Sequence, residues 1–218
     1  MIDDALFPPT ARFCYVRTSR TEVDLQNYRH LHPLEQSLVA HSVDIRKAEF
    51  GDARWCAHQA LRDLGHRGEE PILRGPRGMP LWPEGITGSL PHTEGFRAAG
   101  AAPRTRVRSL GLDAEPAESL PEGVLGSIAR LGELPQLDRL RRNGLACPDR
   151  LLFCAKEATY KAWFPMTQRW LGFEQAEIDL REDGTFISYL LVRPTPVPFI
   201  DGRWELRDGY IIAATTVL

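Results

Sequence analysis

The sequence predicts an α+β protein built from two similar halves. The main observation is that helix-like apolar stripes followed by short strand-like runs occur twice along the chain. With 218 residues, 43% of them hydrophobic, the chain can bury a substantial core as one domain or as two small ones. We expect the halves to be residues 1–105 and 106–218, although no residue-level repeat relates them.

In the first half, an alternating run at residues 12–16 predicts a strand, and Pro33 suits the first turn of a helix. A stripe of helical period follows, with Asp52 as its expected N-cap and Gly65 as its stop. Residues 68–95 are dense in Gly and Pro and are expected to form a loop with fixed turns. Loops of this kind often carry binding groups.

Further elements follow from the same periodicities. Strands are expected at 88–90, 96–102 and 107–113, helices at 122–131, 137–142 and 149–164, and strands at 176–180, 185–192 and 204–217. Pro165 should end the last helix, because proline cannot donate the backbone hydrogen bond that a helix needs. The last three strands are predicted to form an antiparallel meander.

Composition and charge exclude several classes of function. The net charge of −2 provides no basic field for nucleic acid or an anionic membrane. No apolar run approaches the roughly 18 residues of a membrane helix, and acidic residues stand where a signal peptide needs basic ones. We therefore expect a cytoplasmic protein with no nucleic-acid or membrane partner. We also expect a monomer.

The absence of several sequence motifs excludes further classes of protein. The four cysteines form no CxxC and the six histidines no zinc-ligand spacing, so free thiols are expected. No GxGxxG follows a strand, and neither GxxxxGK[ST] nor GxSxG occurs. Dinucleotide oxidoreductases, P-loop enzymes and α/β-hydrolases are thereby excluded.

Asp113 and Glu115 stand at the end of an apolar strand, two residues apart, so both carboxylates should point to the same face. Hard oxygen ligands side by side are the start of a Mg²⁺ site, which waters and substrate phosphates can complete. A lone D-x-E is more often an ordinary polar strand end, and the pair alone leaves that alternative open.

Glu157 and Lys161 lie at i and i+4 on the predicted helix 149–164 and share one face. Such a pair is usually a surface salt bridge of about 0.3–0.5 kcal/mol. Here the rest of the helix is mostly apolar, which favours a charged cluster that lines a site.

Arginines precede this region. Arg46, Phe50 and Arg54 fall at i, i+4 and i+8 and share one face if the helix continues through Gly51. As a set with the loop arginines, they could hold a polyphosphate, because the guanidinium fork matches phosphate oxygens. Each arginine taken singly is more often solvated surface.

Arg74 and Arg77 lie in the Gly/Pro loop, and His92 lies in a turn after a short strand-like run. A protonated histidine can donate to a phosphate, although a lone loop histidine is ordinarily surface.

Four blocks occur in one order: Arg-Gly-x-Pro-x-Trp-Pro at 77–83, Gly-Ser-x-x-His at 88–92, Gly-x-Asp-x-Glu at 111–115 and Lys-Glu-x-x-x-Lys at 156–161. In this order they resemble the Sfp-type and EntD-like 4′-phosphopantetheinyl transferases. The similarity runs from about residue 46 to 173. Residues 153–157 and 163–165 look like the actinobacterial branch of the family, which serves siderophore and polyketide synthesis.

The resemblance implies a pseudo-dimer of two α+β halves, with coenzyme A bound in the cleft between them and an apo carrier protein docking at its mouth. It implies Mg²⁺, with Mn²⁺ as an alternative, held by Asp113, Glu115 and Glu157, and catalysis by Glu157 and Lys161. The residues expected to bind the phosphates and nucleotide of coenzyme A are Arg46, Arg54, Arg74, Arg77, Ser89, His92, Lys156 and Lys161.

The expected reaction moves 4′-phosphopantetheine from coenzyme A to a serine of an apo acyl or peptidyl carrier protein and releases 3′,5′-ADP. Two alternatives remain open at this point. The same carboxylates could serve another Mg²⁺-dependent phosphoryl or nucleotidyl transfer, or the chain could bind coenzyme A or a carrier without turnover.

Overall fold

The computed structural model of the chain describes residues 5–18, 23–67 and 69–218. These residues form two compact units, an N-terminal unit that ends at Leu110 and also includes Leu218, and a C-terminal unit from Gly111 to Val217. Each unit combines helices with antiparallel strands. The predicted α+β class is confirmed.

In the N-terminal unit a small antiparallel sheet supports one long helix. The helices are α1 (Gln26–Arg29), α2 (Pro33–Ser37) and α3 (Asp44–Asp63), and the strands are β1 (Arg12–Arg17), β2 (Leu73–Arg74), β3 (Pro80–Leu81), β4 (Ile86–Ser89), β5 (His92–Thr93) and β6 (Phe96–Pro103). The sheet has the order β1-β6-β4, β5 also pairs with β6, and β2 pairs with β3. The predicted strands at 12–16 and 96–102 and the helix beginning at Pro33 are confirmed.

Small side chains pack α3 onto this sheet. Cys56, Ala57, Ala60 and Leu61 are fully buried against Ile72, Ile86, Ala99 and Ala101. Full burial of a leucine contributes roughly 1.5–3 kcal/mol, and the alanines let the helix lie close to the strands. This packing therefore fixes the distance of α3 from the sheet and the rotation of α3 about its own axis.

The predicted start of this helix at Asp52 is wrong, because α3 already begins at Asp44. Gly51 lies inside the helix, where a Cβ would come within 2.5 Å of the backbone nitrogen of Tyr28. The glycine is thus a contact point for α1 rather than a helix breaker. As a consequence, Arg46, Phe50 and Arg54 lie on one unbroken helix.

The prediction of a loop over 68–95 is wrong in part, since β2 to β5 lie within its described residues, 69–95. Its Gly and Pro residues shape tight turns between short strands, such as the 3₁₀ turn at Pro76–Gly78. His92 was expected in the turn but lies in β5, where it pairs with Arg97 of β6. The turn itself contains Gly95, which has φ of +73°.

In the C-terminal unit a five-stranded sheet packs against another long helix. The helices are α4 (Leu125–Ile128), α5 (Leu134–Arg142) and α6 (Pro148–Thr167), and the strands are β7 (Ser109–Pro116), β8 (Ala176–Leu180), β9 (Thr185–Leu190), β10 (Phe199–Arg207) and β11 (Tyr210–Val217). The order is β7-β11-β10-β9-β8, in which β8 to β11 form the predicted antiparallel meander. Trp163, Leu151 and Phe186 are among the fully buried side chains of this core.

Several predicted boundaries in this unit are wrong, three of them for a clear physical reason. The single run at 204–217 is divided into β10 and β11 by Asp208 and Gly209, which both have positive φ and form a tight hairpin turn. The helix expected at 122–131 is only the four residues of α4, in a segment rich in glycine. Pro165 lies in the last turn of α6 rather than ending it, and the helix stops where Gln168 takes φ of +55°.

Cys14, Cys56, Cys147 and Cys154 are all free thiols, as predicted. No helix in the described ranges combines the length and the apolar character required to cross a membrane.

Candidate functional site

A polar cavity of about 330 Å³ lies beside α3 in the N-terminal unit. Its lining includes the predicted phosphate-binding residues Arg46, Arg54, Arg74, Arg77 and His92, together with Glu49 and Phe50. These residues come from α3, from the β2–β3 region and from β5, so the fold brings together groups that are distant in sequence. We call this cavity the anion pocket.

Phe50 lies against two of the arginines. The guanidinium carbon of Arg54 lies 4.6 Å from the centroid of the Phe50 ring, and that of Arg74 lies 5.0 Å from it. Both arginines thus stack on a buried aromatic ring, which attracts cations through its quadrupole and restricts their rotamers.

The charges of the arginines affect one another. Burial lowers the pKa of Arg54 to about 10, an effect that the carboxylate of Glu35 opposes and the charges of Arg74 and Arg46 reinforce. Burial and the charge of Arg46 also lower the pKa of Arg74. A bound anion would relieve this crowding of positive charge, so the pocket fits phosphate groups.

Glu49 counterbalances part of this charge. It accepts from Arg46 Nη1 at 3.1 Å through Oε2 and from Arg97 Nη2 at 2.7 Å through Oε1. The carboxylate therefore ties one wall of the anion pocket to β6. Sequence reasoning missed Glu49, although its i+3 spacing from Arg46 was a signal.

Ser89, which was expected to contact the nucleotide, is buried in β4 opposite Gly100. It is not among the residues that line the anion pocket.

In the C-terminal unit, the contact between β7 and α6 is set by Gly111. A Cβ at this position would overlap the carbonyl oxygen of Ala158 and come within 2.7 Å of the nitrogen of Ala162. Only glycine allows the strand to lie this close to the helix. The close approach brings Asp113, two residues along β7, to the side of α6 that carries Lys161.

Lys161 donates from Nζ to Oδ1 of Asp113 at 2.6 Å. Burial disfavours the charge on Lys161, but the Asp113 carboxylate and its hydrogen bond outweigh burial and raise the pKa of the lysine. Asp113 is only 5% exposed, and its Oδ2 is buried with no hydrogen-bond partner among the described residues. A buried carboxylate oxygen without a donor can accept a further ligand.

Glu115 and Glu157 complete what we call the acidic cluster. Glu115 accepts from Arg150 Nη1 at 3.1 Å, yet burial and the charge of Asp113 raise its pKa to about 7. Burial and Asp113 likewise raise the pKa of Glu157, against the opposing effect of Lys161. The Asp113 carboxylate is therefore close enough to repel each of the two glutamates.

Carboxylate oxygens are ligands for hard divalent cations such as magnesium. In the described parts of the chain, no three His, Cys, Asp or Glu side chains form a group that could hold a metal ion. Asp113 is instead paired with Lys161, and Glu115 with Arg150. The chemistry of the cluster still fits a divalent cation, because Asp113 Oδ2 has no hydrogen-bond donor among the described residues and Arg150 and Lys161 offset only part of the burial and repulsion that raise the pKa of Glu115.

Comparison with known proteins identifies the family. The model of the 4′-phosphopantetheinyl transferase N-terminal domain matches residues 34–102, and that of the 4′-phosphopantetheinyl transferase superfamily matches residues 109–215. The chain belongs to the 4′-phosphopantetheinyl transferase superfamily.

Curated relatives support the same assignment. The chain is 48% identical over 200 residues to 4′-phosphopantetheinyl transferase Npt of Nocardia iowensis, covering 84% of this chain and 87% of the relative. It is 45% identical over 192 residues to PptT of Mycobacterium tuberculosis, covering 84% of each. Svp of Streptomyces mobaraensis is 42% identical over 196 residues, covering 86% of this chain and 78% of the relative. All three relatives are actinobacterial, as the resemblance indicated.

Within this transferase, the structure does not support the phosphate-binding role expected of Lys156. The residue is 3% exposed, and its ammonium donates to the carbonyl oxygens of Ile128, Phe173 and Ala176 at 2.7–3.1 Å. It also forms an ion pair of 2.9 Å with the buried Glu133. All of its donors are thus engaged inside the unit.

The period of the α-helix could have shown that Lys156 and Lys161 lie on different faces of α6. Lys156 precedes Lys161 by five residues, which places it about 140° around the helix. Arg150, Cys154, Glu157 and Lys161 instead follow one another at helical spacing along the face that meets β7. Arg150, which sequence reasoning missed, belongs to this face, and the transferase site gains a cation that holds Glu115.

Proposed function

We propose that the chain transfers the 4′-phosphopantetheine group of coenzyme A to a serine hydroxyl of apo acyl carrier and peptidyl carrier proteins, in a Mg²⁺-dependent reaction that releases 3′,5′-ADP. Polyketide, non-ribosomal peptide, fatty acid and siderophore synthases contain carriers of this class. Membership of the transferase superfamily supports the transferred group. The observation that carries the proposal is the acidic cluster of Asp113, Glu115 and Glu157 around Lys161.

The anion pocket supplies binding groups for the phosphates of coenzyme A. Arg46, Arg54, Arg74 and Arg77 carry several positive charges, and His92 adds a donor when protonated. Phe50 holds Arg54 and Arg74 in stacked positions before any ligand binds. Such preorganisation strengthens binding because less side-chain entropy is lost.

Asp113, Glu115 and Glu157 would hold Mg²⁺, and Mn²⁺ suits the same oxygen ligands. When bound, the cation would neutralise charge on the diphosphate of coenzyme A. The chain's own contribution is to present the carboxylates together: Lys161 fixes Asp113, and Arg150 fixes Glu115.

In the proposed step, the serine oxygen forms a bond to the β-phosphorus of coenzyme A, and the bond from that phosphorus to the bridging oxygen breaks. The electron pair leaves with 3′,5′-ADP, and the carrier keeps the phosphodiester. Glu157 takes the serine proton, directly or through a water, and its raised pKa suits this role because it makes the carboxylate a stronger base. Lys161 stabilises negative charge on the phosphate that departs.

The test is an intact-mass measurement. The protein is incubated with coenzyme A, Mg²⁺ and a panel of apo acyl and peptidyl carriers, and each carrier is weighed. A gain of about 340 Da on a carrier, equal to the transferred group, supports the proposal. If no carrier gains mass although coenzyme A binds tightly, the chain is a binding module and the proposal fails.

A further inference from the structure

Behind the anion pocket lies a fully buried acid that the proposed reaction does not use. Glu35, on α2, has no exposed surface. An ionised carboxylate in such a position is costly unless cations and donors surround it. Its partners therefore show what it stabilises.

The carboxylate of Glu35 has three neighbours. Its Oε1 accepts from the backbone nitrogen of Ile72 at 3.0 Å and lies 3.7 Å from Nε of Arg54. Both carboxylate oxygens lie 3.0 Å from Nε2 of His58. Because an ionised carboxylate can only accept, the proton of His58 is assigned to Nε2. His58 Nδ1 is correspondingly buried with no hydrogen-bond partner among the described residues.

Arg54 joins this buried group to the anion pocket. Its Nε donates to the carbonyl oxygen of Ile72 at 2.9 Å, next to Glu35. Its guanidinium stacks on Phe50 and lines the pocket. The Nε edge of the Arg54 guanidinium thus faces Glu35, and the rest of the guanidinium lines the anion pocket.

Glu35 is also the counter-ion that Arg54 requires. Arg54 is 5% exposed and lies near the positive charges of Arg46 and Arg74. Without Glu35, repulsion and desolvation would both drive the guanidinium toward solvent, away from its stacked position.

We propose that Glu35 is a positioning residue for anion binding, which acts through Arg54 by holding its guanidinium in the orientation that meets a phosphate of coenzyme A. This inference rests on the proposed function for the identity of the ligand. The geometry itself, a buried carboxylate anchored by Ile72 and His58, stands independently of it.

A purely structural role would give a different result. Loss of a buried ion pair lowers stability whether or not a ligand binds. A positioning role appears in ligand affinity, and only while Arg54 is present. A double-mutant cycle separates the two roles.

The experiment measures the Kd of 3′,5′-ADP by calorimetry for the full chain, for Glu35→Gln, for Arg54→Ala and for the double variant. Glutamine keeps the size of Glu35 and its acceptor for Ile72, and removes the charge. We expect Glu35→Gln to raise Kd about tenfold, and to have less than about a twofold effect when Arg54 is already alanine. The KM for coenzyme A should rise with Kd while kcat stays unchanged.

Glu133→Gln is the matched control. Glu133 is equally buried and is also paired with a cation, Lys156, but lies outside the anion pocket. Its substitution should lower stability and leave Kd unchanged. If Glu35→Gln does not fold, Glu35→Asp, which keeps the charge but retracts it from Arg54, should raise Kd about threefold.

Several results would overturn the inference: an unchanged or lowered Kd, equal effects in both backgrounds, an equal rise in Glu133→Gln, or no 3′,5′-ADP binding by the wild type. Failure of the proposed function is distinct from these. It would appear as a wild type that binds 3′,5′-ADP but adds no mass to any carrier.

Discussion

Lys161 and Asp113 form a hydrogen-bonded ion pair of 2.6 Å that links the middle of α6 to β7. The pair occupies only Oδ1 of the aspartate and leaves Oδ2 buried without a donor among the described residues. Asp113 is therefore both anchored and still able to accept a further ligand. The first two predictions follow from this arrangement.

Asp113→Ala and Glu157→Gln should each reduce transfer of phosphopantetheine by at least about a hundredfold, because one removes an anchored carboxylate and the other the proposed base. The readout is the rate of mass gain on an apo carrier. Asp138→Asn, at an exposed position on α5, is the control and should behave as wild type. Near-normal turnover in either site variant would refute the site assignment.

Chelation should abolish transfer, and added Mg²⁺ should restore it. In Asp113→Asn, the Mg²⁺ concentration for half-maximal rate should rise by at least about tenfold, since a neutral amide is a weaker ligand for a hard cation. A titration of rate against Mg²⁺ measures this shift. Equal Mg²⁺ requirements in the variant and the wild type would place the metal elsewhere.

Gly111→Ala should destabilise the chain by about 3 kcal/mol or more, because the added methyl group collides with the backbone of α6. Urea unfolding gives the free energy. Gly126→Ala is the matched control, since a Cβ there has no neighbour within 4 Å and lies in helix α4. That variant should be neutral or more stable by up to about 1 kcal/mol. Equal stability of the two variants would show that β7 does not need the close approach.

Asp52→Asn should make the folded state more stable at neutral pH. Burial raises the pKa of Asp52 in the folded state, with opposing effects from the Asn27 hydrogen bond and the Arg97 charge and a reinforcing one from Asp24. A carboxyl whose folded pKa lies above its unfolded value of about 3.9 loses stability as pH rises through that window. An asparagine does not titrate and can still accept from Asn27.

The measurement for Asp52 is the difference in unfolding free energy between variant and wild type from pH 4 to pH 8. The difference should increase with pH and then level off. A difference that is constant, or that decreases with pH, contradicts the assigned direction of the pKa shift.

Much of this arrangement could be predicted from the sequence where a local pattern carries the information. The period of α3 placed Arg46, Phe50 and Arg54 on one face, and the anion pocket confirms that they lie together. The spacing of Glu157 and Lys161 indicated a charged cluster on an apolar helix, although the ion pair of Lys161 goes to Asp113 on β7. Local periodicity gives a face but not the partner across from it.

What the sequence could not show depends on contacts between distant segments. Glu35 and Ile72 meet only because α2 packs beside the chain that follows α3. The buried position of Lys156 depends on its ion pair with Glu133 and on its hydrogen bonds to the carbonyl groups of residues 128, 173 and 176. The sequence also left open whether the helix continues through Gly51. The reason for a glycine inside the helix is the close packing of Tyr28, which is distant in sequence.

The continuity of α3 through Gly51 has one further consequence. Since Arg46, Phe50 and Arg54 lie on a single rigid rod, adjacent members of this series are separated by about 6 Å along the axis, a distance fixed by the helical rise. A ligand that enters the pocket therefore meets a backbone whose spacing cannot adjust to it. We expect crystal structures with and without coenzyme A to show the same backbone for α3, with adaptation to the ligand confined to side chains and to the turn at Pro76–Gly78.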